Sequence, residues 1–188
     1  MIDRSLKYID AYMIYRDLSV IPEFELPDGY SFRMYKDGDE KFWVDIEVSS
    51  GDISDTKTGF EKFEKYYGKY RKELEDRMVF VLNDNQEPVG TATGFFIDED
   101  KIENSNMGKL HWVAIKNEYK GKGLSKPMIT KVMQIMHELG HKGAILHSQT
   151  HTWLACKIYQ SIGWEAYRPE SQSIEEFSEC WEIINSQK

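Results

Sequence analysis

Apolar residues recur at helical spacing from Leu124 to Leu139, through Met128, Ile129, Val132, Ile135 and Met136, which predicts an amphipathic helix. Pro127 falls in its first turn, where a missing N–H costs nothing, and Gly140 stands just past its end. Ahead of it, Met107 to Ile115 is a nearly unbroken apolar run, the pattern of a central strand buried on both faces. Met78 to Leu82 and Val89 to Ile97 read as strands joined by the turn residues Asn83 to Pro88. A second hairpin is expected next, with the acidic residues 98 to 103 at its tip. Ala144 to Thr150 predicts the strand after the helix, and Cys180 to Asn185 a closing strand.

Towards the beginning, Tyr30 to Tyr35 reads as a strand and Asp39 to about Ser49 as a helix carrying Phe42, Trp43, Ile46 and Glu47. Gly59 to Asp76 reads as a highly charged helix with Phe60, Phe63, Tyr67 and Tyr70 on one side. Residues 1 to 28 form an aromatic and acidic lead-in with a helical start, ended by Pro22 and by Pro27-Asp28-Gly29. The expected organisation is therefore this lead-in packing on one domain from residue 29 to residue 188.

Composition narrows the classes. A chain of 188 residues with 40% apolar side chains can bury one substantial core. No apolar run is long enough to cross a bilayer and Met1 to Lys7 lacks a signal-peptide core, so a cytoplasmic chain with no membrane partner is expected. Cys156 and Cys180 are too few for a disulfide framework. His137 and His141 stand four apart without a zinc-like partner set, so no metal is expected. The net charge of −8 argues against nucleic acid, whose binding needs clustered cations, and mildly favours a cationic acceptor such as an amine.

The most specific chemistry lies between residues 110 and 125. An apolar strand leads through a polar turn into Gly121 and Gly123 and then into the helix. Glycines let backbone approach a ligand closely, and the first amides of a helix have no internal partner, so the junction suits a pyrophosphate. A dinucleotide loop would open the fold and be answered by an acidic residue at the end of the next strand, and a triphosphate loop needs Gly-Lys followed by Ser or Thr. Neither pattern is present, since Gly121-Lys122 is followed by Gly123.

Lys120-Gly121-Lys122-Gly123-Leu124-Ser125 resembles the signature of the GCN5-related N-acetyltransferase (GNAT) family: Arg or Gln, two residues, Gly, one residue, then Gly or Ala. Lys120 and Ser125 depart from it. Thr152 to Trp164 resembles a second segment of that family, Asn-x-x-Ala-x-x-x-Tyr-x-x-x-Gly-Phe, with Thr152 for Asn and Trp164 for Phe. The resemblance covers about Val89 to Tyr167. It implies an α/β domain with a mixed, mostly antiparallel, splayed sheet and helices on both faces. It also implies acetyl-CoA as cosubstrate, with the main chain of Val113, Ala114 and Ile115 along the pantetheine arm and Gly121 to Ser125 at the pyrophosphate. Lys120, Lys122 and Thr152 are further candidate contacts.

The implied reaction is direct transfer of an acetyl group to a primary amine of a small molecule or peptide. Tyr159 matches the family acid that protonates the leaving thiolate. His111 stands where aralkylamine-acetylating members carry a histidine, and period two would put it on one strand face with Val113 and Ile115; it is the candidate base, ahead of Glu47 and His147. Cys156 within a helix reads as a small buried hydrophobe rather than a nucleophile. Two alternatives stay open: a non-catalytic acyl-CoA-binding regulatory module, and a protein-interaction module using residues 1 to 76. Assembly as a homodimer is also left open.

Overall fold

The computed structural model describes residues 2–96 and 106–187. The expected acidic hairpin tip at 98 to 103 lies outside the described residues. Among the described residues, seven strands form one sheet: β1 (Asp10–Tyr15), β2 (Ser31–Met34), β3 (Met78–Leu82), β4 (Pro88–Phe96), β5 (Met107–Ile115), β6 (Gly143–Gln149) and β7 (Glu165–Tyr167). Their order is β2-β3-β4-β5-β6-β1-β7. The β5–β6 pair is parallel and the other pairs are antiparallel.

Among the described residues, six α-helices accompany the sheet: α1 (Glu40–Ser50), α2 (Thr56–Tyr67), α3 (Arg71–Leu74), α4 (Ser125–Glu138), α5 (Trp153–Ile162) and α6 (Ile174–Ser186). They divide between the two faces, as alternate residues of β3 make plain. Val79 and Val81 share a core with Met128 and Val132 of α4, whereas Met78, Phe80 and Leu82 share one with Trp43 of α1 and Phe63 and Tyr67 of α2. Period-two alternation on a strand covered on both sides produces two such cores. Close approach of α4 needs a residue without a side chain: a Cβ at Gly108 of β5 would stand 2.5 Å from the Met136 sulfur.

Three expectations are corrected. The lead-in has no helical start but supplies β1, which lies within the sheet between β6 and β7. Its alternating burial, with Ala11 and Met13 inward, is the strand period that mixed aromatic and acidic composition obscures. The helix expected from Gly59 to Asp76 begins earlier, where the Asp55 side chain accepts from the Thr58 amide, and α2 ends at Tyr67 before Gly68. Glycine is a poor helix residue, and a tighter turn over Gly68–Tyr70 leads into α3. Phe60 of α2 is exposed, whereas Phe63 and Tyr67 are buried.

The closing strand expected at Cys180 to Asn185 is instead the second half of α6. Ser173 and Glu176 form a reciprocal capping box, and Cys180, Trp181 and Ile184 are buried at helical spacing. The short apolar run of Cys180 to Ile184 cannot by itself tell helix from strand; the cap decides. Because the cap is what starts this helix, Ser173→Ala should lower the free energy of unfolding by about 1 kcal/mol, read by urea denaturation. An unchanged midpoint would contradict the role given to the cap.

Candidate active site

β5 and β6 lie side by side only from Met107 opposite Gly143 to Leu110 opposite Leu146. Beyond that point β5 stays with β4 as far as Ile115 and β6 stays with β1 as far as Gln149, so the two inner strands part. A bulge sits where they separate. Between the pairs Thr91–Ala114 and Thr93–His111, β5 carries one residue more than β4, and Trp112 has a φ of 48°. That left-handed backbone is strained for a bulky residue, and a bulge bends its strand and increases its twist.

The extra residue also resets which side chains share a face. Val113 and Ile115 pack towards α4, while Trp112 and Ala114 pack towards α1 and α2. His111 is surrounded by rings of that second side, Tyr66, Tyr67 and Phe95. The expectation that His111 shares a face with Val113 and Ile115 is therefore corrected, because period two fails across a bulge.

A cavity of about 800 Å³ occupies the gap. One wall is the β5 segment from Val113 through Ala114 to Ile115; Thr152 and Tyr159 stand on another. Lys120, Gly121 and Ser125 form one end, whereas Lys122, Gly123 and Leu124 do not line the space. Gly121 and Gly123 have φ values of 76° and 80°, conformations that L side chains resist. Leu124 occupies the N-cap position of α4 without a side-chain cap, and its own side chain is buried in the core. The first amides of α4 therefore have neither an internal acceptor nor a capping oxygen, which suits an anion.

The loop lysines are committed within the fold. Lys120 Nζ donates to the Ser50 carbonyl at 3.0 Å and to Asn117 Oδ1 at 2.7 Å, fastening the loop to the end of α1. Lys122 Nζ lies 4.6 Å from the centre of the Tyr119 ring. Thr152 precedes α5, where its hydroxyl donates to the Gln149 carbonyl at 3.0 Å and lies 2.8 Å from Ser148 Oγ.

Tyr159 projects from α5 and is 7% exposed. Burial, with smaller contributions from Cys156, Asp52 and Glu47, pushes its phenol well above the ordinary value, so it carries its proton at neutral pH. Cys156 is fully buried, its thiol is pushed up to about 11 chiefly by burial, and its sulfur lies 3.5 Å from Ser148 Oγ. That is an inert structural thiol.

At the other end, His111 Nδ1 lies 3.0 Å from the Tyr67 hydroxyl as its hydrogen-bond partner. Burial, then Lys109 and His147, pull the His111 pKa down to about 3, leaving a neutral imidazole. Glu47 of α1 lines the same end and is 1% exposed; its Oε1 has no hydrogen-bond partner. Burial, then the nearby Asp52, raises its pKa well above the carboxylate range, against a smaller opposing pull from Lys62. Tyr66 and Trp112 complete this end, and sequence reasoning did not single them out. Glu47 did carry a signal: it stands four residues after Trp43, on the face of α1 that a core-facing helix keeps apolar.

An extended polar chain ending in a pyrophosphate fits this arrangement. The parted edge of β5 can pair with such a chain as a strand would, and the uncapped start of α4 can receive the phosphates. Among the described residues, no group of three His, Cys, Asp or Glu could hold a metal ion.

The match to the family model described as "Acetyltransferase (GNAT) family" runs from residue 11 to residue 164. Human N-acetyltransferase 8B is 23% identical over 86 residues, which are 46% of this chain and 37% of that protein. The crystal structure of a GCN5-related N-acetyltransferase from Sphaerobacter thermophilus superposes with a TM-score of 0.69 at 19% identity, over 85% of this chain and 49% of that one. A GCN5-related N-acetyltransferase from Kribbella flavida gives 0.59 at 18% identity, over 86% and 55%. The chain thus spans about half the length, or less, of the first of these relatives. From β1 to the turn after α5 the family model covers both glycine loop and Tyr159, and the chain belongs to the acetyltransferase (GNAT) family.

Proposed function

We propose that the chain transfers an acetyl group from acetyl-CoA directly to a primary amine of a small molecule or peptide. The observation that carries this reading is the position of Tyr159: a buried, protonated phenol on the wall of the cavity bounded by the parted β5 edge and the glycine loop. Val113, Ala114 and Ile115 would offer main-chain groups to the pantetheine arm, and the loop from Lys120 to Ser125 its amides to the pyrophosphate. Acetyl-CoA supplies the activated thioester. Tyr159 supplies the proton that the departing thiolate needs.

A purely regulatory cofactor-binding module would have no use for a proton donor at that place. Release of free thiol from acetyl-CoA in the presence of a panel of amines tests the two readings against each other. With a productive acceptor, Tyr159→Phe should bind acetyl-CoA as before and turn over roughly a hundredfold more slowly, because only the hydroxyl is lost. A loss below about threefold would make Tyr159 a packing residue.

His111 is proposed as a neutral hydrogen-bonding group that meets the acceptor. With its pKa pulled down to about 3, it carries no charge across the working range, so a rate limb in the ordinary histidine range should not arise from it. Its folded pKa lies below the unfolded value, so its contribution to stability is present above about pH 6.5 and is lost as the pH falls towards the folded value. His111→Asn should lower the rate while keeping the shape of the pH profile. Removal of a limb near pH 6.5 by that substitution would instead make His111 the base.

A further inference from the structure

The α1 and α2 end of the cavity contains an unusual expense for a fold: a carboxyl group that is 1% exposed, with an oxygen that no protein donor reaches. Leaving such a group buried without a donor is destabilising, so a residue of this kind persists where something else answers it. Glu47 faces the cavity rather than the core of α1 and α2 alone. The groups around it are Asp52 just beyond α1, Lys62 and Tyr67 on α2, and the protonated Tyr159 on α5, and neutral His111 on β5 lines the same cavity. Lys62 Nζ lies 5.4 Å from the centre of the Trp112 ring, and no hydrogen bond from it reaches Glu47 Oε1.

Flat walls line the same cavity. Tyr66 and Trp112 lie with ring centres 5.5 Å apart and both line the cavity. Trp112 is held from behind by Trp43 at 5.3 Å, edge to face. Aromatic faces attract cations as well as apolar groups, and a desolvated carboxylate attracts an ammonium far more strongly than an exposed one does.

We propose that Glu47 is the counter-ion that selects the acceptor: a compact primary amine bound as its ammonium, its apolar portion against the rings of Tyr66 and Trp112, with no carboxylate beside the nitrogen. This deepens the acetyl-transfer reading and rests on it for the identity of the cavity as an acceptor site. Two carboxyl groups, Glu47 and Asp52, would repel an acceptor that brings its own carboxylate. The pairing is balanced in protons. If Glu47 enters protonated, docking of an ammonium displaces that proton to solvent, whereas docking of the free amine moves it from Glu47 to nitrogen; both end as carboxylate and ammonium, and transfer follows once the ammonium returns one proton to the Glu47 carboxylate and so recovers the lone pair that attacks the thioester carbonyl.

Binding to the full chain saturated with CoA, which lacks an acetyl group and permits no turnover, tests the proposal. Calorimetry would compare 2-phenylethylamine with its uncharged counterpart 2-phenylethanol and with phenylalanine, which adds a carboxylate beside the same nitrogen. Wild type should prefer the amine by tenfold or more over both, and Glu47→Gln should erase that preference while leaving CoA affinity unchanged.

Stability supplies the control for folding. The raised pKa of Glu47 means that stability is full below about pH 4.3 and falls as the pH rises through the folded value, so Glu47→Gln should unfold at a higher temperature than wild type at neutral pH and at the same temperature near pH 4. Equal binding of amine and alcohol by wild type, or a preference that survives Glu47→Gln, would overturn the proposal. Acetyl transfer to amines without this preference would leave the reaction standing and remove Glu47 from acceptor choice; amine preference without thiol release would do the reverse.

Discussion

The parting of β5 from β6 after Leu110 and Leu146 is the constraint on which the rest of the structure depends. Buried backbone groups are almost always paired, and a sheet that opens in its middle leaves two strand edges in need of partners. Here the edges are kept apart rather than closed. β4 holds β5 on its other side through Ile115, β1 holds β6 through Gln149, and the bulge at Trp112 diverts β5. A central sheet made this way is a slot for an extended chain, and the cavity lies in it.

Rigid packing on both sides keeps the slot open. On the α1 and α2 side, Trp43 meets Phe63, Tyr67 and Trp112 with ring centres 5.3, 6.0 and 5.3 Å away, all edge to face, an arrangement that ring quadrupoles favour. Those rings set the positions of His111 and Glu47. On the other side, α4 sits close on the sheet, so its uncapped first turn stays at the end of the slot. The two sides are tied together by Lys120 to the Ser50 carbonyl and by an ion pair of 2.5 Å between Lys116, just after β5, and Asp45 of α1. The glycine loop and the helix that carries Glu47 are thus parts of one framework.

Local signals made much of this legible. The strand from Met107 to Ile115 has the limits its apolar run indicates, and the helix after the glycine loop begins and ends within a residue of its pattern. The fold class follows from two short motifs in the right order. What escaped was information that no short window contains. A bulge inserts one residue without changing composition, so the face of His111 was misassigned. The strand Asp10–Tyr15 gains its place from pairing with β6, more than a hundred residues away. Cys180 to Asn185 reads as a strand because a short apolar run fits both periods, and the capping box at Ser173 and Glu176 is the signal that marks it as helix. Burial, which lowers the proton affinity of His111 and raises that of Glu47, is a tertiary property that no local pattern shows.

The central claim is that the parted edge of β5 and the start of α4 receive the cosubstrate. Amide hydrogen exchange with and without CoA tests it most directly, because it reads the backbone groups themselves. The account predicts new protection on amides from Val113 to Ile115 and from Gly121 to Ser125, with little change in β2 and β7 at the sheet margins. Binding of CoA without protection in those two segments would contradict it.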